Sequence, residues 1–144
     1  MMFEKLKELR DYEAKTQRET AKDLHVTRAT YAGWECGKDI IPLKKLNDLA
    51  NIYDVTLDYL VGLTENQENR PFKMDIDPKV VSENIKLLRL SRQLTQKEMA
   101  ESLKTSQSNI HNYENVKSLI TTMYAIELAK NYDYSLDKLI RKTK

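Results

Sequence analysis

The sequence predicts an all-α chain organised as two tandem five-helix units joined by a linker. Three observations predict it. Apolar residues recur at helical intervals of three and four. Only three Gly and three Pro interrupt 144 residues. Finally, the chain repeats itself: residues 16–24, TQRETAKDL, return at 95–103 as TQKEMAESL. Shifted by 79 positions, residues 6–61 align with 85–140 without a gap, with eighteen identities in fifty-six positions. A repeat of that length marks a duplicated structural unit.

Each element follows from the pattern. In the first copy Leu6 and Leu9 give the buried stripe of an opening helix. Thr16 caps a second helix that starts at Gln17 and carries Glu19 at its third position, a capping box. Thr27 caps a third helix holding Tyr31 and Trp34, Pro42 suits the first turn of a fourth with Leu46, Leu49 and Ala50, and Thr56 precedes a short fifth with Leu57 and Leu60. The second copy offers Thr95, Ser106, Thr121 and Ser135 as caps. Its core positions are Ile85, Leu88, Ala100, Leu103, Ile110, Tyr113, Ala125, Leu128, Ala129, Leu136 and Leu139. Between the copies, GLTENQENRPFKMDIDP is polar, carries Gly62, Pro71 and Pro78 and lacks a period. The expected organisation is therefore a unit at 1–64, a linker at 65–78 and a unit at 79–144. Extended, the linker would span up to about 45 Å, although Phe72, Met74 and Ile76 could lie against one unit.

Composition narrows the function classes. With 32% charged and 40% apolar residues the chain reads as a soluble helical protein. No apolar run approaches the roughly 20 residues of a spanning helix, and the acidic start MMFEKLKELRDYE does not read as a signal peptide, so a cytoplasmic location is expected. Cys36 is the only cysteine, which excludes an internal disulfide, and no His or Lys adjoins it in sequence to activate the thiol. His25 and His111 have no partner at metal-ligand spacing, and neither a phosphate loop nor a nucleophile elbow is present. The expectation is a protein that is not an enzyme and needs no metal or cofactor. The net charge of +2 is unevenly distributed: residues 1–64 carry ten basic and eleven acidic side chains, 65–78 two and four, and 79–144 twelve and seven. The basic bias lies in the second unit.

In each unit a short helix with a small central residue, Ala21 or Ala100, precedes a brief connection and a second short helix ending in an aromatic and Glu. A small residue lets two helices cross closely. TQRETAKDLHVTRATYAGWECGK and TQKEMAESLKTSQSNIHNYENVK resemble the Xre, or phage-repressor and Cro-like, helix-turn-helix family; LANIYDVTLDYLVGL and LAKNYDYSLDKLIRK resemble its fourth and fifth helices. The resemblance covers nearly everything except the linker and the ends. It implies two lambda-repressor-like domains and sequence-specific binding of double-stranded DNA for transcriptional control, repression being the expected mode. The family usually places Gly between the two motif helices, where His25 and Lys104 stand here. Val116 also replaces Gly37, and Thr121 replaces Pro42.

The resemblance sorts residues by role. The second motif helix is the one the family lays in the major groove. It would present Arg28, Ala29, Ala32 and Gly33 in the first unit and Gln107, Ser108, His111 and Asn112 in the second. Arg28 suits a guanine edge and the amides an adenine edge, so the second unit carries the richer reading surface. Gln17 and Gln96, at helix starts, are placed for phosphate or for bracing the reading helix; Thr27, Ser106, Lys38 and Lys117 are placed for phosphate. In the resembling fold, pairs such as Arg10 with Glu35 and Arg89 with Glu114 close the first helix onto the third, and these four are assigned to structure. Trp34 and Tyr113 read as core. The expected partners are duplex DNA and a second copy or another protein. One alternative makes the first unit in particular a protein-interaction module, because its face is small and near neutral. Another makes the chain the DNA-binding antitoxin of a toxin–antitoxin pair.

Overall fold

The computed structural model describes residues 3–142, which hold ten α-helices and no strand. The chain divides into two compact units, residues 1–75 and 76–144. The first contains α1 (Glu4–Tyr12), α2 (Gln17–Asp23), α3 (Arg28–Cys36), α4 (Leu43–Tyr53) and α5 (Leu57–Leu60). The second contains α6 (Pro78–Ser91), α7 (Gln96–Leu103), α8 (Gln107–Glu114), α9 (Thr122–Tyr132) and α10 (Leu136–Leu139). No helix among the described residues is long and apolar enough to cross a membrane.

The caps form where the sequence predicts them. Thr16 Oγ1 accepts from Glu19 N at 3.0 Å while Glu19 Oε1 accepts from Thr16 N at 2.9 Å, and Thr95 with Glu98 repeats both bonds at the same lengths. Thr27, Thr56, Ser106, Thr121 and Ser135 cap their helices through side-chain oxygens. Pro42 differs from expectation by one position: it is the extended residue before α4, with φ −63° and ψ 149°, and the helix begins at Leu43. Asp77 supplies a cap the sequence reading missed, accepting from Lys79 N at 3.0 Å and setting Pro78 as the first residue of α6.

Leu6, Leu9, Ala21, Leu24, Tyr31, Trp34, Leu46, Leu49, Ala50, Leu57 and Leu60 are buried, and so are their counterparts 79 residues on, whereas Ile40 is 46% exposed. Each buried aliphatic side chain stabilises its unit by roughly 1.5–3 kcal/mol. In unit 1, α2 packs on α3 while α1 contacts α3 and α5; in unit 2, α7 packs on α8 and α9 while α6 contacts α8 and α10. Asn84, itself buried, ties α6 to the chain end by donating to the carbonyls of Leu139 at 2.7 Å and Arg141 at 2.8 Å.

The backbone repeats as faithfully as the core. Apart from Gly62, the left-handed residues among those described occur in pairs 79 apart: Ala14 and Gln93, His25 and Lys104, Gly37 and Val116, Asp54 and Asp133. His25 and Lys104, both at φ 58°, therefore adopt the geometry that Gly usually supplies, at a cost near 1 kcal/mol each. Val116, a β-branched residue at φ 60°, does what Gly37 does at φ 82° and bears the larger strain.

The segment expected as a linker is docked through residues 70–74. Met74 O accepts from Asn47 Nδ2 at 2.8 Å and Asn51 Nδ2 at 3.2 Å on α4. The buried Arg70 donates through Nη1 to Asn51 Oδ1 at 2.5 Å and Asn47 O at 3.3 Å, and its backbone N–H donates to Asp54 Oδ1 at 3.1 Å. Phe72 covers the Arg70 guanidinium at 5.2 Å. Polar composition suggested a spacer because the anchoring partners, Asn47 and Asn51, lie on α4 rather than in the segment itself. Residues 65–75 thus belong with unit 1, and the reach of about 45 Å requires undocking them.

Candidate nucleic-acid interface

The second motif helix of each unit, α3 or α8, is positioned from both ends. At its start, Thr27 Oγ1 accepts from Thr30 N at 3.2 Å and Ser106 Oγ from Asn109 N at 3.1 Å. Towards its end, Arg10 grips Glu35 through Nε to Oε2 and Nη2 to Oε1, both 2.8 Å, and donates through Nη1 to Lys15 O at 2.9 Å. Arg89 repeats the grip on Glu114 at 2.7 and 3.0 Å and donates to Leu94 O at 2.8 Å. Both pairs are largely buried, so α1 and α6 hold the ends of α3 and α8 by the bidentate geometry in which Arg and carboxylate bind most strongly.

Gln17 and Gln96 join these clamps. Their Nε2 atoms donate to Glu35 Oε1 at 3.3 Å and Glu114 Oε1 at 3.2 Å. The first motif helix is thereby braced against the second by the side chain considered for phosphate. Burial alone would raise the Glu35 carboxyl, yet the hydrogen bonds from Arg10 and Gln17 hold it below the usual carboxylate range. The Arg10 guanidinium, hydrogen-bonded to that carboxylate, is pushed above its ordinary value. Burial raises the Tyr31 phenol strongly.

The outward faces of α3 and α8 differ. On α8, Gln107, Ser108 and His111 are exposed and Asn112 half-exposed, and with Gln96 they line one open depression of about 310 Å³. Asn115, which the sequence reading did not single out, donates through Nδ2 to His111 O at 2.7 Å and lies 3.3 Å from His111 Nδ1. On α3, Arg28 and Ala29 are exposed and Ala32 half-exposed. Gly33 is not presented: it is buried, and Asp39 Oδ2 lies 2.7 Å from where a Cβ on Gly33 would sit. The cause is the chain reversal at Gly37, after which Asp39 N donates to Gly33 O at 3.1 Å. Lys38 and Lys117, just past the two helices, are exposed.

Two short helices crossing at a small residue, the second capped, clamped and polar outward, constitute a helix-turn-helix in each unit. The family described as "Helix-turn-helix domain" matches twice, at residues 3–65 and 82–144. The chain belongs to the helix-turn-helix domain family. Among curated proteins this helix-turn-helix chain is 35% identical over 86 residues to "Uncharacterized HTH-type transcriptional regulator YobD" of Bacillus subtilis (strain 168), a match covering 60% of this chain and 69% of that protein. It is 37% identical over 68 residues to "Uncharacterized HTH-type transcriptional regulator YqaE" of the same strain, covering 47% and 59%. To "HTH-type transcriptional regulator AnsR", also of that strain, it is 32% identical over 76 residues, covering 53% and 66%. The chain thus spans about two thirds of the length of these relatives. No solved structure matches it significantly.

Proposed function

We propose that this protein is a sequence-specific double-stranded-DNA-binding transcriptional regulator of the repressor type, acting from the cytoplasm without catalysis. The observation that carries the reading is the polar depression of Gln96, Gln107, Ser108, His111 and Asn112 on a helix that is capped by Ser106 and clamped by Arg89 and Glu114. Gln107, Ser108, His111 and Asn112 present donors and acceptors to base edges, whereas Gln17, Gln96, Thr27, Ser106, Lys38 and Lys117 serve the phosphate backbone and the positioning of the reader. Unit 2 is the stronger reader, because its excess of basic residues attracts the polyanion and its face is the more polar. Arg28 gives unit 1 one long reader, suited to guanine O6 and N7.

Because the outward residues Arg28, Ala29 and Ala32 of α3 differ from Gln107, Ser108 and His111 of α8, the preferred operator consists of two unlike half-sites rather than a palindrome. Selection of random duplex DNA by the intact chain at moderate salt tests the proposal. Two unlike half-sites about one turn, 34 Å, apart support it; no enrichment at any salt sinks it. A second reading, unit 1 as a protein-binding module, draws on the small exposed residues Ala29 and Ala32. Arg28→Ala separates the two: a lost base preference at one half-site favours reading, and unchanged DNA binding favours the protein partner.

A further inference from the structure

The two reading faces place a polar side chain at the same point by different means. After α3 the chain folds back so that Asp39 N donates to Gly33 O at 3.1 Å; after α8, Ser118 N donates to Asn112 O at 3.4 Å, 79 residues on. The backbone is the same, but the sizes are exchanged. Unit 2 has a long residue on the helix and a short one on the returning loop, whereas unit 1 has Gly33 on the helix and the longer Asp39 on the loop. The Asp39 carboxylate lies directly over Gly33, with Oδ2 2.7 Å, Cγ 3.6 Å and Cβ 3.8 Å from the position of a Cβ there. Any side chain on Gly33 would displace it. Asp39 is also exposed, and Gly33 beneath its carboxylate lies five residues beyond Arg28.

We propose that Asp39, seated over Gly33, is the acidic specificity determinant of unit 1, selecting a base that offers an exocyclic amino group. A carboxylate only accepts hydrogen bonds, and the donors on the major-groove edge are cytosine N4–H and adenine N6–H. Guanine N7 and O6 and thymine O4 are acceptors, so each would face Asp39 with like polarity and leave a desolvated anion unpaired. The unit 1 reader thus carries opposite charges along one face: Arg28 towards an acceptor-rich base, Asp39 towards a donor. Near the phosphates an acid can only weaken binding; at a base edge it discriminates. Asn112 in unit 2, both donor and acceptor, lacks this exclusion.

This inference rests on unit 1 reading DNA, as proposed above. The test measures equilibrium binding of the intact chain to its selected operator and to every single-base replacement within the unit 1 half-site, located by its sensitivity to Arg28→Ala. The natural protein should prefer cytosine or adenine at one position by about tenfold, and Asp39→Asn and Asp39→Ala should reduce that preference to under about threefold while sparing the other positions. Gly33→Ala, which displaces the carboxylate but retains it, should relax the same position. Equal tightening by Asp39→Asn at every base, with preferences unchanged, would overturn the proposal and leave Asp39 as a phosphate-repelling acid. Enrichment of a single half-site, insensitive to Arg28→Ala, would remove DNA reading by unit 1 and this inference with it. Two half-sites with no response to Asp39→Asn would remove this inference alone.

Discussion

Arg10 and Glu35, twenty-five residues apart, meet through two parallel hydrogen bonds of 2.8 Å, and Gln17 adds a third donor to the same carboxylate. Arg89, Glu114 and Gln96 reproduce the arrangement in the second unit. The clamp joins three helices at one point, so its strength decides how firmly each reading helix is presented.

Removing one partner should therefore cost more than the pair's net contribution. Arg89→Ala strands the Glu114 carboxylate, and breaking a buried pair in this way costs about 3–5 kcal/mol. Thermal unfolding of the variant should show unit 2 melting far earlier than in the natural chain, with a matching loss of DNA affinity. An unchanged melting profile would show the clamp to be dispensable.

Acid should loosen the unit 1 clamp. Glu35 is held below its ordinary range in the folded state, because the hydrogen bonds from Arg10 and Gln17 outweigh the effect of burial. A depressed carboxyl contributes stability that is present above its unfolded value and is lost as pH falls through the folded one. The unfolding midpoint should thus decline as pH drops from about 5 towards about 3, and Glu35→Gln should flatten part of that decline. The capping carboxylate Glu19, also lowered, by the backbone N–H of Thr16, accounts for a share that remains.

Val116 offers a gain rather than a loss. At φ 60° and 45% exposed, it is strained and contributes little core. Val116→Gly relieves the left-handed strain against a smaller entropic cost of added chain freedom, for a net stabilisation of about 1 kcal/mol. Denaturant titration should show a raised midpoint with an unchanged slope. A lowered midpoint would mean that the Val116 side chain contributes more by contact than its strain costs.

Charge and base readout should separate on salt titration. Lys117→Ala should weaken binding to all sequences alike and reduce the salt slope by about 1. His111→Ala and Gln107→Ala should instead cost about 1–3 kcal/mol at one base position each and relax preference there. A sequence-dependent effect from Lys117→Ala would make it a reader.

The docked segment should restrict half-site spacing. With Arg70 held by Asn47, Asn51 and Asp54, residues 65–74 cannot pay out as slack. Binding to operators of increasing spacing should fall steeply for the natural chain and less steeply for Arg70→Ala. Equal tolerance in both would show that the segment undocks freely.

The sequence by itself determined the duplication, the helices, most of their caps and most of the repeated core. These are local or periodic properties: a cap needs a residue and its third neighbour, and a buried stripe needs only the spacing of three and four. Even the clamp was legible as the paired interval from Arg10 to Glu35 and from Arg89 to Glu114, read through the family resemblance. Three things only the tertiary structure decided. Arg70 and Met74 dock on α4 because carbonyls and amides of distant residues meet there, which composition does not encode. Gly33 is buried and the Asp39 carboxylate lies over it because the chain reverses at Gly37, bringing together residues six apart that no helical period relates. Asn115 orients His111 through a contact that needs the helix end to be built first. Periodicity fixes which residues face inward; which polar groups share an outward surface depends on where the loops return.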